Sequence, residues 1–286
     1  MIEKSVIGVD LGGTNVMAGR INGNQIVKEE KRQIKSDSKQ EAIIEMIINS
    51  IESVYSSEVA GMGIGVPSLV DLNKGIVYDV QNIPSWKKVP LKKIVEKHFN
   101  LPVYINNDAN CFAVGEKYFG KGIKYRNMVG VTLGTGIGTG IIINNRLYSG
   151  SNCGAGEFGS LPYRDGIIED YCSGKFFTSL YHTTGEDLFQ RAEEGDKHAL
   201  EIFKQYGDYL GVAVIFILYS VDPEAIIFGG SVSKSFKYFK DSLWKRLQSF
   251  PYKRTIKNLV VEESGNHNIA LLGAGALYIE ASKEVI

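Results

Sequence analysis

The sequence predicts an α/β fold of two lobes with a cleft between them, and three observations carry the prediction. An apolar strand closed by a Gly/Thr-rich turn occurs twice, at Ser5–Thr14 and again at Met128–Thr139. Each copy leads into further strands and then into long helical patterns. With 286 residues the chain is long for one compact core and comfortable for two.

The first half opens with an apolar run, Ser5–Val9, then Asp10-Leu11-Gly12-Gly13-Thr14-Asn15, then a second apolar segment, Val16–Ile21. Asn22-Gly23-Asn24 is turn chemistry, and Gln25–Gln33 alternates like an exposed strand, so the three strands form a meander. Glu41–Tyr55 sets Ile43, Ile44, Ile47, Ile48, Ile51 and Val54 on one helical face. Ala60–Val66 is a short buried strand. In the second half, Met128–Leu133 is an apolar strand, residues 134–140 form a glycine-rich turn, and Ile141–Ile143 continues outward. Asn144-Asn145 turns the chain into Arg146–Tyr148. Helical patterns cover His198–Tyr219 and Lys234–Ser249, flanking a buried strand, Ala225–Phe228. A last strand, Leu259–Glu262, precedes a terminal helix from about Ala270 to Ser282. The expected division is residues 1–118 as a small lobe and 119–269 as a large one, with the helix at about 270–286 packing back on the small lobe. The boundary falls near Lys117–Lys124, where no Pro-rich or low-complexity linker intervenes, so a shared hinge is expected.

The 32 Lys and Arg balance the 32 Asp and Glu, so no overall positive field exists to gather nucleic acid or anionic lipid. The densest basic run, Lys87, Lys88, Lys92 and Lys93, reads as a solvated face. The N-terminus lacks the pattern of a signal peptide, and the most apolar stretch, Gly211–Val221, is too short to cross a bilayer. Cys111, Cys153 and Cys172 are odd in number and widely spaced, and four scattered histidines give no metal-ligand spacing. Free thiols in a reducing cytoplasm are the expectation, with neither nucleic acid nor membrane as a partner.

Backbone N–H groups approach a phosphate only where no Cβ stands at the closest points. Gly12, Gly13, Gly134, Gly136 and Gly138 meet that condition, and Thr14 and Thr135 add hydroxyl donors. A tight hairpin without a ligand is the alternative for either turn alone; two turns at corresponding points of similar halves favour phosphate. There is no GxxxxGK[ST], and these turns lie between strands rather than opening a helix, which argues against a dinucleotide site of the Rossmann kind. Asp10, at the end of the first strand, is placed to hold Mg²⁺ through water. Gly229-Gly230-Ser231 follows a buried strand; it lets an adenine approach the backbone, or starts a helix with Ser231 as the N-cap, or does both.

Val103–Ile105 delivers Asn106-Asn107-Asp108-Ala109-Asn110 ahead of a helix expected to begin near Cys111. The cluster reads either as a set of N-caps or as a hydroxyl-binding site in which Asn107 donates and accepts while an ionised Asp108 only accepts. Phosphoryl transfer needs one carboxylate to take the proton of the attacking hydroxyl, and Asp108 is the candidate. Asn82 beside Trp86, Glu157 among glycines 154, 156 and 159, and Glu169 ahead of Ser173-Gly174 add the polar groups that a polyhydroxylated substrate requires.

The segments DLGGTN (10–15), GIGVPSLVD (63–71), QNIPSWKKVPL (81–91), NNDANCFAVGE (106–116), LGTGIGTG (133–140) and GAGEFG (154–159) together resemble the ROK sugar kinases, of the actin/hexokinase/Hsp70-like ATPase superfamily. The resemblance runs over nearly the whole chain and implies two actin-like (ribonuclease H-like) lobes with a central cleft. It implies that Asp10 orients hydrated Mg²⁺, that Gly12, Gly13 and Thr14 cradle the terminal phosphates of ATP, and that Gly134, Thr135 and Gly136 form a second phosphate loop. Gly229, Gly230 and Ser231 would line the adenosine. Asn82, Asn107, Asp108, Glu157 and Glu169 match sugar-contacting positions, Ser68 lies near the sugar, and Asp108 matches the general base.

Two departures stand out. Where many ROK proteins have a histidine and then a cysteine cluster holding zinc, this sequence has Ser160 and no cysteine over residues 161–168, so no zinc is expected. Ser68 replaces the frequent glycine after the Val-Pro pair. The resemblance implies phosphorylation of the 6-hydroxyl of glucose or a related aldohexose by ATP, with N-acetylmannosamine or fructose as alternatives, and a homodimer. A sugar-responsive transcriptional regulator is the alternative from another class; such regulators carry a DNA-binding segment ahead of the sugar domain, and this sequence begins at that domain's first strand.

Overall fold

The computed structural model describes residues 4–35, 37–80 and 83–283. The meander forms as the turn chemistry dictates. β1 (Ser5–Leu11), β2 (Asn15–Asn22) and β3 (Gln25–Gln33) pair antiparallel in succession. The helix α1 (Gln40–Val54) buries Ile43, Ile44, Ile47, Ile51 and Val54, the face its 3.6-residue period selects. β4 (Val59–Val66) then returns parallel to β1. Next come three very short strands, β5 (Val70–Asp71), β6 (Ile76–Tyr78) and β7 (Lys88–Val89), which pair only with one another. They were not legible as strands because two or three residues carry no alternation. The helix α2 (Leu91–Phe99) ends at Asn100 in the left-handed conformation, and β8 (Val103–Asn107) closes the sheet order β3-β2-β1-β4-β8. The next helix, α3 (Asp108–Phe119), starts three residues before the expected Cys111, because Asn107 caps it.

A second five-stranded sheet follows. It contains β9 (Met128–Leu133), β10 (Ile137–Ile143) and β11 (Arg146–Tyr148), with Asn144 and Asn145 both at positive φ in the tight turn between the last two. After it the chain forms the hairpin β12 (Pro162–Tyr163) and β13 (Gly166–Ile167), then α4 (Ile168–Cys172), α5 (Gly174–Tyr181), α6 (Gly185–Glu193) and α7 (Lys197–Val221). β14 (Ala225–Gly229) pairs parallel with β9. The helices α8 (Phe236–Leu247) and α9 (Lys253–Asn258) lead to β15 (Val260–Glu263), parallel to β14. The order β11-β10-β9-β14-β15 repeats that of the first sheet: an antiparallel meander joined to parallel strands.

The chain separates into two compact units whose boundary crosses it four times. The first holds residues up to Lys124, Gly140–Ala155 and the segment from Gly265 onward; the second holds Tyr125–Thr139 and Gly156–Ser264. In the first unit the terminal helix α10 (Ile269–Lys283) packs against α3 and against β1 and β4. Its sequence is apolar nearly all round, as a helix covered on more than one side requires. Close approach rests on glycine: a Cβ on Gly63 would stand 1.7 Å from the Ala274 carbonyl oxygen, and one on Gly273 would stand 1.8 Å from that of Cys111. In the second unit α7 and α8 pack together over an aromatic core that includes Phe176, Phe177, Phe203, Tyr206 and Phe239, all fully buried.

Candidate functional site

In each unit the residues that the sequence singled out are built on strand ends. In the first unit, β1 ends in Asp10-Leu11 and turns at Gly12, whose N–H donates to the Asn15 carbonyl at 2.8 Å. With that donor committed to closing the turn, an anion cradle here is drawn from Gly13 and Thr14. Thr14 is exposed and its hydroxyl accepts from Asn15 Nδ2 at 2.9 Å. Burial pushes the Asp10 carboxyl above the usual carboxylate range. A desolvated carboxylate beside an anion-binding turn suits a cation brought in by a polyphosphate. Among the described residues no group of three or more His, Cys, Asp and Glu side chains is arranged to hold a metal ion on its own. A Mg²⁺ ion here would be carried mainly by phosphate oxygens and water, with Asp10 the one carboxylate of this turn that could face it.

Asn106, Asn107 and Asp108 stand where β8 passes directly into α3. Asn107 Oδ1 accepts from the N–H groups of Ala109 (2.9 Å) and Asn110 (3.4 Å), so the capping reading of this cluster holds for Asn107. Its Nδ2 donates to the Ser68 carbonyl at 3.4 Å. The Ser68 hydroxyl in turn donates to the Tyr78 carbonyl, anchoring the loop after β4 to β6. Asp108 is the first residue of α3, half-buried, with Oδ1 accepting from Ala109 N–H at 2.8 Å. An anion in this place is favoured by the helix dipole.

Sequence reasoning assigned no role to the groups behind these two residues. Buried Asn106 offers one oxygen to three donors: Asn107 N–H at 2.8 Å, Asn110 Nδ2 at 2.8 Å and Cys153 Sγ at 3.3 Å. Asn110 is itself buried, and its own Oδ1 lacks a partner among the described residues. Cys111, on the next position of α3, has a thiol pushed well up by burial and then by the charges of Asp10, Asp108 and Cys153. The signal for this network was the density of Asn between residues 106 and 110; its partner Cys153 comes from a distant loop. Asn82 lies outside the described residues.

In the second unit, β9 ends at Leu133 and the Gly134–Gly136 turn leads into β10. Gly134 N–H donates to the Gly136 carbonyl at 3.0 Å, closing a turn one residue tighter than the Gly12–Asn15 turn. Gly134 faces open space on its Cβ side, and Thr135 is exposed. The turn is pinned twice from its own unit: Gly174 N–H donates to the Gly134 carbonyl at 2.7 Å, and Glu169 Oε2 accepts from Ile137 N–H at 3.2 Å. A Cβ on Gly136 would come within 2.5 Å of Glu169 Oε2, so glycine is required here for the carboxylate as much as for any phosphate. The other oxygen of Glu169 pairs with Lys175 Nζ at 2.6 Å. Glu157 precedes the 3₁₀ turn Phe158–Ser160 and is exposed as a residue, yet its carboxyl is pushed up, first by desolvation and then by the charge of Glu169. These two carboxylates therefore share one electrostatic neighbourhood.

Gly229 ends β14, and Gly230 takes positive φ at the strand end, where a Cβ would meet the Leu133 carbonyl oxygen at 2.4 Å. Ser231 does not act as an N-cap: it has helical φ and ψ and makes no side-chain cap bond. The hydroxyl of Ser233 instead accompanies the turn, donating to the Gly230 carbonyl at 2.8 Å.

A family model described as ROK family matches residues 6–281. The chain belongs to the ROK family. Relatives of this ROK protein include the glucokinase of Thermotoga maritima, 32% identical over 82% of this chain and 84% of that protein. They also include the xylose repressor of Bacillus spizizenii, 29% identical over 98% of this chain and 78% of that protein. Among solved structures, a ROK family glucokinase from Streptomyces griseus in complex with glucose and AMPPNP superposes with a TM-score of 0.82 at 27% identity, covering 96% of this chain and 98% of that one. The fold of this ROK protein is thus that of the two-lobed α/β ATPases its sequence resembles.

Proposed function

We propose that this ROK protein is an ATP-dependent sugar kinase that transfers the γ-phosphoryl group to the 6-hydroxyl of glucose or a related aldohexose. The observation that carries the reading is Asp108 at the first position of α3, fixed by its own Ala109 N–H bond and flanked by the Asn107 cap. There it accepts the hydroxyl proton as the oxygen attacks phosphorus. Asn107 and Ser68 hold the loop beside it. Gly13 and Thr14, and likewise Thr135 and Gly136, would supply donors to phosphate oxygens, whose developing charge they stabilise without reorganisation. Mg²⁺, when bound, supplies charge neutralisation on the polyphosphate, and Asp10 would orient its water shell.

The kinship with xylose repressors favours a second reading, a regulator that binds sugar without turning it over. Asp10 weighs against it. A buried carboxylate above its normal pKa costs stability, and sugar binding alone gives no return for that cost. The balanced charge of the chain also gives nucleic acid no general attraction.

The test is a coupled ADP-release screen over hexoses and N-acetylhexosamines, with N-acetylmannosamine and fructose included. ADP release that depends on one sugar and vanishes in Asp108→Asn supports the kinase. Sugar binding without ADP release from any member of the panel supports the regulator.

A further inference from the structure

A carboxylate lies against the turn that the kinase reading assigns to phosphate. Glu169 Oε2 accepts Ile137 N–H at 3.2 Å and lies 2.5 Å from where a Cβ of Gly136 would stand, so its charge abuts the Gly134–Gly136 loop. Left alone, that charge would repel a polyphosphate entering the same loop. Lys175 Nζ, 2.6 Å from the other oxygen, is the cation that offsets it. Lys175 stands in the first turn of α5, next to Gly174, whose N–H holds the Gly134 carbonyl at 2.7 Å. The loop, its anion and its cation are therefore tied together by hydrogen bonds within one unit.

We propose that Lys175 is a positioning residue for nucleotide binding: it neutralises Glu169 and holds it on Ile137 N–H, so that the Gly134–Gly136 loop receives the triphosphate without an opposing charge. The proposal rests on the kinase reading and goes beyond it, since nothing in the glycine pattern requires a lysine at position 175. Glu157 lies in the field of Glu169 and Asp170 in that of Lys175, both negative, so Lys175 is a cation set among carboxylates.

The experiment is calorimetric titration of the full chain with a non-hydrolysable ATP analogue and Mg²⁺, without sugar, for the parent, Lys175→Met, Lys175→Arg and the double variant Lys175→Met/Glu169→Gln. Lys175→Met should weaken binding about tenfold, one uncompensated charge near the ligand. Lys175→Arg should stay close to the parent. The double variant should recover most of the loss, because glutamine keeps the acceptor for Ile137 N–H and removes the charge. A purely structural role for Lys175 predicts no such recovery. Equal binding by the parent and Lys175→Met, or a double variant no better than the single one, overturns the proposal. If the parent releases ADP in the sugar screen while Lys175→Met binds normally, the proposal falls alone. If the parent binds no nucleotide and releases no ADP, the kinase reading falls and takes the proposal with it.

Discussion

Asn107 Nδ2 donates to the Ser68 carbonyl at 3.4 Å while Asn107 Oδ1 caps α3, so one side chain ties the loop after β4 to the helix that begins with Asp108. This separates two jobs that the sequence left together. Asn107→Asp keeps the cap and loses the donor to Ser68; Asn107→Ala loses both. The alanine variant should lose about 1 kcal/mol of stability, the usual value of an N-cap. The aspartate variant should keep near-parental stability but raise the KM for sugar. Chemical denaturation and steady-state kinetics on both variants check this, and equal stability of the two would remove the capping role.

Asp108→Asn preserves size and the acceptor for Ala109 N–H, so the fold should be retained. The base is gone, and kcat should fall by on the order of 10²–10⁴ with KM for ATP little changed. Phosphorylation at the parental rate would show that another group takes the proton.

The parts of this molecule that the sequence made legible are those with a strong period or a sterically forced residue. The α1 face was readable from Ile43, Ile47 and Ile51 because burying one apolar stripe supplies most of what holds a helix on a sheet. Both glycine turns were readable as turns because glycine is the residue a tight reversal between strands tolerates best. Lys175 was not, because its partner is chosen by the α4–α5 bend rather than by helical spacing. Asn106 was seen only as one of a crowd, since one of its three donors, Cys153, comes from a distant stretch of chain. The segment 140–155 shows the same limit: its place in the first unit follows from Gly140 packing on Ala109 and Ala113, contacts that leave no local trace.

Asp10→Asn should separate stability from activity. Burial raises the folded-state pKa of Asp10, so the charged form is disfavoured in the fold and the parent is destabilised at pH above that value. Below the unfolded-state value, near 4, the carboxyl is protonated in both states and the penalty disappears. The asparagine variant, free of metal and nucleotide, should therefore melt higher than the parent at pH 7–8, with the gain shrinking as pH falls toward 4. Activity with Mg²⁺ and ATP should drop. A lower melting temperature at pH 8 would mean that the Asp10 charge is stabilised by the fold.

Chelation should leave this ROK protein intact. The hairpin β12–β13 stands where the zinc cluster of related proteins is expected, and it is closed by side chains. The Arg164 guanidinium lies 4.7, 5.7 and 5.9 Å from the ring centroids of Tyr209, Tyr171 and Tyr163, and the Tyr171 hydroxyl donates to Asp165. Elemental analysis should find no stoichiometric zinc, and EDTA should not shift the melting temperature. Arg164→Ala should lower the melting temperature only slightly, since the contact it removes is solvent-exposed.

The packing of α10 on α3 offers the sharpest stability test. At Gly273 an added Cβ would lie 1.8 Å from the Cys111 carbonyl oxygen and 2.6 Å from Gly115 N, both backbone atoms that cannot rotate away. At Gly265, on the same side of the chain boundary, the nearest atom would be Lys121 Cε at 3.7 Å, an ordinary contact with a flexible side chain. Gly273→Ala must push the two helices apart and should cost about 1–3 kcal/mol, the usual range for overpacking a filled interior. Gly265→Ala should stay within about 0.5 kcal/mol of the parent. Because Cys111 lies three residues after Asp108 on α3, the strain at Gly273 should also reach the base. The variant should lose kcat even at temperatures where it is fully folded, which denaturation curves and kinetics on the same preparations will show. Parental kcat in a destabilised Gly273→Ala would mean that α3 holds its N-terminus independently of the helix packed on it.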